Sequence, residues 1–121
     1  MENLNAGDLQ IQALGGEGPT PIQLVWMGKS NDRHPGKVLQ PYFGSVLQVA
    51  SQNRVPVELR FEKLEHFNSS TITSIIQLIQ DARARGVKLV LVYAQALKWQ
   101  KLSFDALRVF ARDDLLELRS A

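Results

Sequence analysis

Cysteine is absent from this chain of 121 residues. Disulfides, thiolate catalysis and cysteine-ligated zinc or iron–sulfur sites are therefore excluded. Histidine is scarce as well, because His34 and His66 are the only two and neither has a second ligand at the spacing of a zinc-binding helix. We therefore expect surface histidines, no metal site and no cofactor. The lack of cysteine also fits a cytoplasmic protein, which is the location we predict.

Long apolar segments are missing too. The first ten residues carry acids and amides without an apolar centre, unlike a secretory signal peptide. The longest apolar stretch, residues 87–94, includes Lys88 and is far shorter than the roughly 18 residues of a membrane-spanning helix. We therefore expect no membrane insertion.

The chain has little excess charge of either sign. Its 14 Lys and Arg residues against 12 Asp and Glu residues give a net charge of +2, and the basic residues are scattered, so direct binding to nucleic acid is not predicted. A hydrophobic content of 45% and a charged content of 21% are ordinary for a globular protein. We predict a single domain over residues 1–121, with residues 1–8 as an amino-terminal tail that the fold can leave disordered.

The hydrophobic periodicity predicts alternating strands and helices. Apolar and polar residues alternate in two early segments that can pair as a hairpin, 9–14 and 22–27, and again over 55–61. Helical spacing marks residues 39–50, 72–85 and 103–110, with Ser103 as the N-cap of the last helix. Residues 87–94 are typical of a central strand, and 115–118 add a final turn or edge strand. This order predicts an α/β fold with a mixed, mostly parallel sheet of four to five strands and helices mainly on one face.

No set of residues specifies an enzyme. Gly28-Lys29-Ser30 matches the end of a phosphate-binding loop, but that motif needs another glycine at position 23, which is Gln23 within a predicted strand. A Ser-His-acid triad needs no fixed spacing, yet the chain has no G-x-S-x-G turn. Trp99, between two lysines, is either an exposed binding residue or packed over the end of the sheet.

The most informative segment is residues 67–74, in which five of eight residues carry hydroxyls. It follows a predicted strand and opens the clearest amphipathic helix. Such residues cap the free N–H groups of a first helical turn, and one cap would suffice. A phosphoserine at the same position would be tolerated while adding about −2 charge to the surface. Both interpretations, helix capping and a phosphorylation switch, remain open at this stage.

With this segment the sequence resembles the STAS domains, the family of sulfate transporters and anti-sigma-factor antagonists. The resemblance is close over residues 57–72, continues through the helix to Gly86 and the strand after it, and follows the family's order of elements over residues 9–112. Antagonists of this family have Asp-Ser-Ser/Thr-Gly-Leu-Gly at the start of this helix. Residues 26–29 resemble the end of the family's second strand, and residues 104–110 its last helix.

The resemblance implies a bacterial, non-enzymatic protein that binds a kinase-type anti-sigma factor or related regulator. The regulator phosphorylates a serine at the helix start, which breaks the complex, and a phosphatase restores it. By position, Ser69 matches the phosphorylated serine and Ser70 the second hydroxyl residue, so we predict Ser69 as the phosphorylation site and Ser70 as the alternative site. The chain departs from the family at Asn68, which replaces the aspartate, and at Thr71 and Thr73, which replace both glycines. The expected partner-binding surface comprises Asn68, Ser69, Ser70, Thr71, Thr73, Gly28, Lys29 and Ser30.

Two alternatives follow from these departures. The first is an unphosphorylated STAS-like scaffold, or a subunit of a transport or signalling complex. The second, ranked last, is an enzyme that binds a small molecule at the carboxyl ends of the strands. In each case we expect a monomer or weak dimer.

Overall fold

The computed structural model describes all 121 residues and contains six strands and three helices. In chain order these are β1 (Leu4–Ala6), β2 (Leu9–Leu14), β3 (Ile22–Ser30), α1 (Gly36–Asn53), β4 (Val57–Phe67), α2 (Ser69–Ala84), β5 (Leu89–Tyr93), α3 (Lys98–Leu107) and β6 (Leu116–Ser120). A short 3₁₀ turn, Arg108–Phe110, extends α3. None of the three helices combines the length and hydrophobicity needed to cross a membrane.

The six strands form one sheet in which the spatial order follows the chain order. β1, β2 and β3 pair antiparallel, so the predicted hairpin of β2 and β3 is confirmed. β3, β4, β5 and β6 pair in parallel, and each helix is the crossover between two of them. The predicted α/β class with a mixed, mostly parallel sheet is therefore confirmed. The sheet has six strands rather than four or five because β1 and β6 extend its two edges.

The amino-terminal segment differs from the predicted tail. Leu4–Ala6 form β1, which pairs with the start of β2 in the register Asn5 opposite Gln10. Asn3 adds a side-chain bond, because its Oδ1 accepts the backbone N–H of Ala13 at 2.8 Å. A three-residue strand has too few side chains to show a period of two in the sequence, so periodicity alone did not indicate it.

The helices cover one face of the sheet. Apolar residues of all three helices join alternate residues of the strands in a single core of 27 buried side chains, with Trp26, Phe61 and Phe104 among the largest. The opposite face carries ion pairs instead. Arg60 lies 2.9 Å from Glu62 and 3.4 Å from Glu58. The prediction of helices mainly on one face is therefore confirmed.

Helix α3 begins five residues earlier than the predicted N-cap Ser103. That hydroxyl instead donates to the carbonyl of Trp99 within the helix, at 2.8 Å. The early start places Gln100 in the core, where it is fully buried. Its Nε2 donates to the carbonyls of Phe61 (2.6 Å) and Leu64 (3.1 Å), and its Oε1 accepts the N–H of Ala94 at 2.8 Å.

The position of Gln100 has a simple physical reason. Strand β4 continues to Phe67, but its pairing with β5 stops at Arg60 opposite Val92. The buried carbonyls beyond that point need donors, because an unpaired buried polar group destabilises the fold. The amide of Gln100 supplies them in place of a longer β5.

Candidate functional site

The predicted site lies where two neighbouring parallel strands end. Ser30 is the last residue of β3 and is in register with Phe67, the last residue of β4. Asn68 follows immediately, and α2 begins at Ser69. The carboxyl ends of parallel strands share one edge of the sheet, so segments distant in sequence meet here.

Asn68 is the N-cap of α2 and also holds a neighbouring loop. Its backbone is extended, and its Oδ1 accepts the backbone N–H of Thr71 at 2.9 Å and the Thr71 hydroxyl at 2.8 Å. Its Nδ2 donates to the carbonyl of Asp32 at 2.7 Å. An aspartate could make the cap but could not donate this last bond. The departure from the family aspartate therefore has a structural reason in the β3–α1 loop, residues 31–35.

Ser30 and Thr71 form a buried pair of hydroxyls beneath the cap. Their side-chain oxygens lie 2.6 Å apart, and the two residues are 3% and 0% exposed. The expectation that both side chains belong to the partner-binding surface is therefore corrected, because neither reaches solvent. They support the surface from inside. Thr71 replaces a family glycine where its hydroxyl can bond to the end of β3 and to Asn68.

The outer part of the cluster consists of Ser69, Ser70 and Thr73. Ser69 and Thr73 are exposed, and Ser70 is half-buried. The hydroxyls of Thr73 and Ser74 donate back to the carbonyls of Ser69 and Ser70, at 3.2 and 3.4 Å. The segment thus has two parts: Asn68 caps the helix and Thr71 is buried beneath the cap, while Ser69 and Thr73 face outward.

Gly28 has a conformational role at the start of this edge. Its φ is +84°, and a Cβ there would lie 2.0 Å from the carbonyl oxygen of Asp8. The same carbonyl accepts the N–H of Lys29 at 3.0 Å, across an irregularity in the pairing of β3. These contacts within the fold explain why glycine is needed at position 28, and contact with a partner protein is not required to explain it. The Lys29 side chain is exposed beside a cavity of about 440 Å³ between the β1–β2 turn and the β3–α1 loop.

A second cavity lies on the other side of that loop. We call it the α1–α2 cleft; ten residues line it, including Arg33, His34, Lys37, Ser70, Thr73 and Gln77, and its volume is about 390 Å³. It brings Ser70 and Thr73 opposite three basic side chains from the β3–α1 loop and the first turn of α1. His34 was predicted to lie at the surface, and no sequence pattern indicated Arg33 or Lys37. The one available signal is that Arg33 and Lys37 follow β3, just as Ser70 follows β4, because the carboxyl ends of two paired parallel strands lie together.

Trp99 packs rather than projecting freely. Its ring meets Phe67 edge-on at a centroid distance of 5.2 Å and lies 6.2 Å from the ring of His66. The residue is partly exposed. Its contacts with Phe67 and His66 support the end of β4 directly before Asn68.

Titratable groups with shifted pKa values lie away from this site, mainly in α3 and the segments that follow it. Hydrogen bonds from Lys101, Arg83 and Arg119 lower the pKa values of Asp105, Asp113 and Glu117 respectively. These are surface ion pairs. No group of three or more histidine, aspartate or glutamate side chains is arranged to hold a metal ion.

Comparison with known proteins places the fold. No protein-family model and no curated protein matches the sequence. Among solved structures, the chain matches the activator SiaC in the crystal structure of diguanylate cyclase SiaD in complex with SiaC from Pseudomonas aeruginosa, with a TM-score of 0.66, 14% identity and full coverage of both chains. The fold is STAS-like. The anti-sigma factor antagonist SpoIIAA in its unphosphorylated form is a second match, with a TM-score of 0.49 and 13% identity over 83% of this chain and 97% of that one.

Proposed function

We propose that this STAS-like protein is a non-enzymatic partner-switching regulator whose binding is controlled by phosphorylation of Ser69. The observation that carries the proposal is that capping and exposure fall on different residues at the start of α2. Asn68 caps the helix by accepting the N–H of Thr71, so the exposed Ser69 hydroxyl is free for modification. A phosphate there adds about −2 charge at a helix N-terminus, where negative charge is tolerated by the fold. The complex is therefore broken without unfolding the domain.

The partner belongs to one of two classes of regulator. The family resemblance favours a kinase-type anti-sigma factor or related kinase, with a phosphatase that restores the free serine. The likeness to SiaC, an activator in complex with a diguanylate cyclase, favours a cyclase. Both classes predict the same binding end of the domain, at the carboxyl ends of β3 and β4.

The test is an affinity pull-down from the native cell with tagged wild-type protein and two aspartate variants. Ser69→Asp adds negative charge at the proposed switch, and Ser51→Asp adds the same charge to an exposed serine in the last turn of α1. We expect the wild type and Ser51→Asp to retain the same kinase or cyclase, and Ser69→Asp to lose it. Incubation with the recovered kinase should then place phosphate within residues 68–74 by mass spectrometry. Equal retention by all three proteins, with no phosphate in this segment, would refute the switch.

The second candidate is a scaffold that is never phosphorylated. It is favoured by the hydrogen bonds of Asn68 to the β3–α1 loop and of Thr71 to β3, which explain two of the three departures from the family without any modification. In this case Ser69→Asp retains the partner, so the same pull-down separates the two candidates.

A further inference from the structure

The titratable side chains that line the α1–α2 cleft are all basic. Three basic side chains, Arg33, His34 and Lys37, line it, and none of its ten lining residues is acidic. By contrast, Arg60 of β4, Lys101 of α3 and Arg119 of β6 each lie within 4.0 Å of a carboxylate. Arg33 and Lys37 take part in no ion pair.

Two acids close by in the chain, Asp32 and Asp81, do not line the cleft and already accept hydrogen bonds. The carboxylate of Asp32 accepts the backbone N–H of His34 at 2.9 Å and lies beside the other cavity. Asp81, one turn beyond the cleft on α2, accepts the side-chain amide of Gln77 at 2.9 Å. The basic side chains of the cleft therefore have no carboxylate within it to balance their charge. Unpaired charges of one sign around a concavity favour a partner of the opposite sign.

We propose that the α1–α2 cleft is a docking groove for an acidic segment of the partner protein. The inference rests on the proposed function, because it assigns the segment to the switched partner. Glutamate or aspartate side chains of that segment pair with Arg33 and Lys37 on one wall. The hydroxyl of Ser70 on the other wall donates a hydrogen bond to the same carboxylates, a pairing open to it because a carboxylate is an acceptor only.

The groove also separates the roles of the two candidate serines. Ser70 lines the cleft and is half-buried, whereas Ser69 is exposed and does not line it. Negative charge on Ser70 lies opposite Arg33 and Lys37 and takes the place of the partner's carboxylates. Negative charge on Ser69 acts from outside the groove. Ser70 is therefore the position at which added charge competes directly for the cleft.

The test uses a defined probe, a short peptide of alternating glutamate and serine, with the matching glutamine–serine peptide as its neutral control. Amide shifts of isotopically labelled protein locate the binding, and titration gives the dissociation constant. The double variant Arg33→Gln/Lys37→Gln removes two charges from the cleft. The matched control, Arg54→Gln/Arg85→Gln, removes two charges from another basic cavity of about 440 Å³, formed by the ends of α1 and α2.

We expect the glutamate peptide to shift amides in residues 33–40 and 70–77, and the neutral peptide to shift none of them. Arg33→Gln/Lys37→Gln weakens binding about tenfold and the control double variant less than twofold. Ser70→Asp weakens it more than Ser69→Asp does. Equal weakening by both double variants would show general charge attraction and overturn the groove, as would shifts confined to other surfaces.

The two proposals fail in different ways. If the peptide does not bind the cleft while Ser69→Asp still releases the native partner, the groove is wrong and the switch stands. If the peptide binds as expected while Ser69→Asp retains the partner, the groove stands and the switch is wrong.

Discussion

Replacing Asn68 tests whether one side chain both caps α2 and holds the β3–α1 loop. Asn68→Ala removes the cap acceptor for Thr71, which costs about 1 kcal/mol, and the bond to the Asp32 carbonyl, which costs about 1 kcal/mol more. We expect the free energy of unfolding to fall by about 2 kcal/mol. The melting temperature should then fall by about 8 °C for a domain of this size.

Asn68→Asp separates the two contributions. The carboxylate keeps the cap and gains about 0.5 kcal/mol from the helix dipole, but it cannot donate to the Asp32 carbonyl. We therefore expect a net loss of less than about 1 kcal/mol in denaturant unfolding. Hydrogen exchange should nevertheless become faster at His34 and Lys37, whose N–H groups are bonded within the loop and first turn of α1.

Two results would refute this reasoning. If Asn68→Asp loses as much stability as Asn68→Ala, the side-chain oxygen does not cap the helix. If exchange at residues 34 and 37 is unchanged in both variants, the amide nitrogen does not hold the loop.

Three further predictions concern the frame around the site. Gly28→Ala should destabilise the protein by about 2 kcal/mol or more, because φ is +84° at this position and the added Cβ would collide with the backbone of Asp8. Gly44→Ala, where the added Cβ meets open space on α1, should stabilise the protein by about 1 kcal/mol. Thermal unfolding measures both effects. Gln100→Leu leaves three buried backbone groups unpaired and should cost about 3 kcal/mol in urea unfolding. A hydrogen bond from Arg83 lowers the pKa of the Asp113 carboxyl below its ordinary 3.8. Its contribution to stability is therefore present above that pH and lost as pH falls below it, so Asp113→Asn should flatten the acid limb of stability against pH.

Each of these has a contrary outcome. If Gly28→Ala were as stable as Gly44→Ala, β3 would not need a residue in the left-handed conformation at position 28. A neutral Gln100→Leu would mean that other groups satisfy the end of β4. An acid limb as steep in Asp113→Asn as in the wild type would show that this ion pair does not couple folding to protons.

Elements with a strong local pattern were predicted from the sequence. The helix that carries Ile72, Ile75, Ile76 and Ile79 and the alternating strand before it were recognised because their periods match burial on one face. Their order also predicted the α/β class with a mixed, mostly parallel sheet, whereas the STAS-like fold was implied by the resemblance over residues 57–72. The hydroxyl-rich segment was correctly placed between them, after the strand and at the start of the helix.

Other features depend on contacts between distant segments. The early start of α3 follows from the need of β4 carbonyls for the amide of Gln100, which no local pattern reveals. The burial of Thr71 depends on Ser30, 41 residues earlier. The basic cleft likewise combines two crossover connections of a parallel sheet. Its members become neighbours only once β3 and β4 are paired.

The outer strands of the sheet bear on how the protein behaves at high concentration. An open strand edge exposes unpaired backbone groups that can recruit another chain and start aggregation. Here β1 offers only three residues, and β6 carries Glu117 and Arg119, paired at 2.8 Å, along its length. Short and charged margins are poor templates for added strands. The domain therefore has little tendency to self-associate through the edges of its sheet.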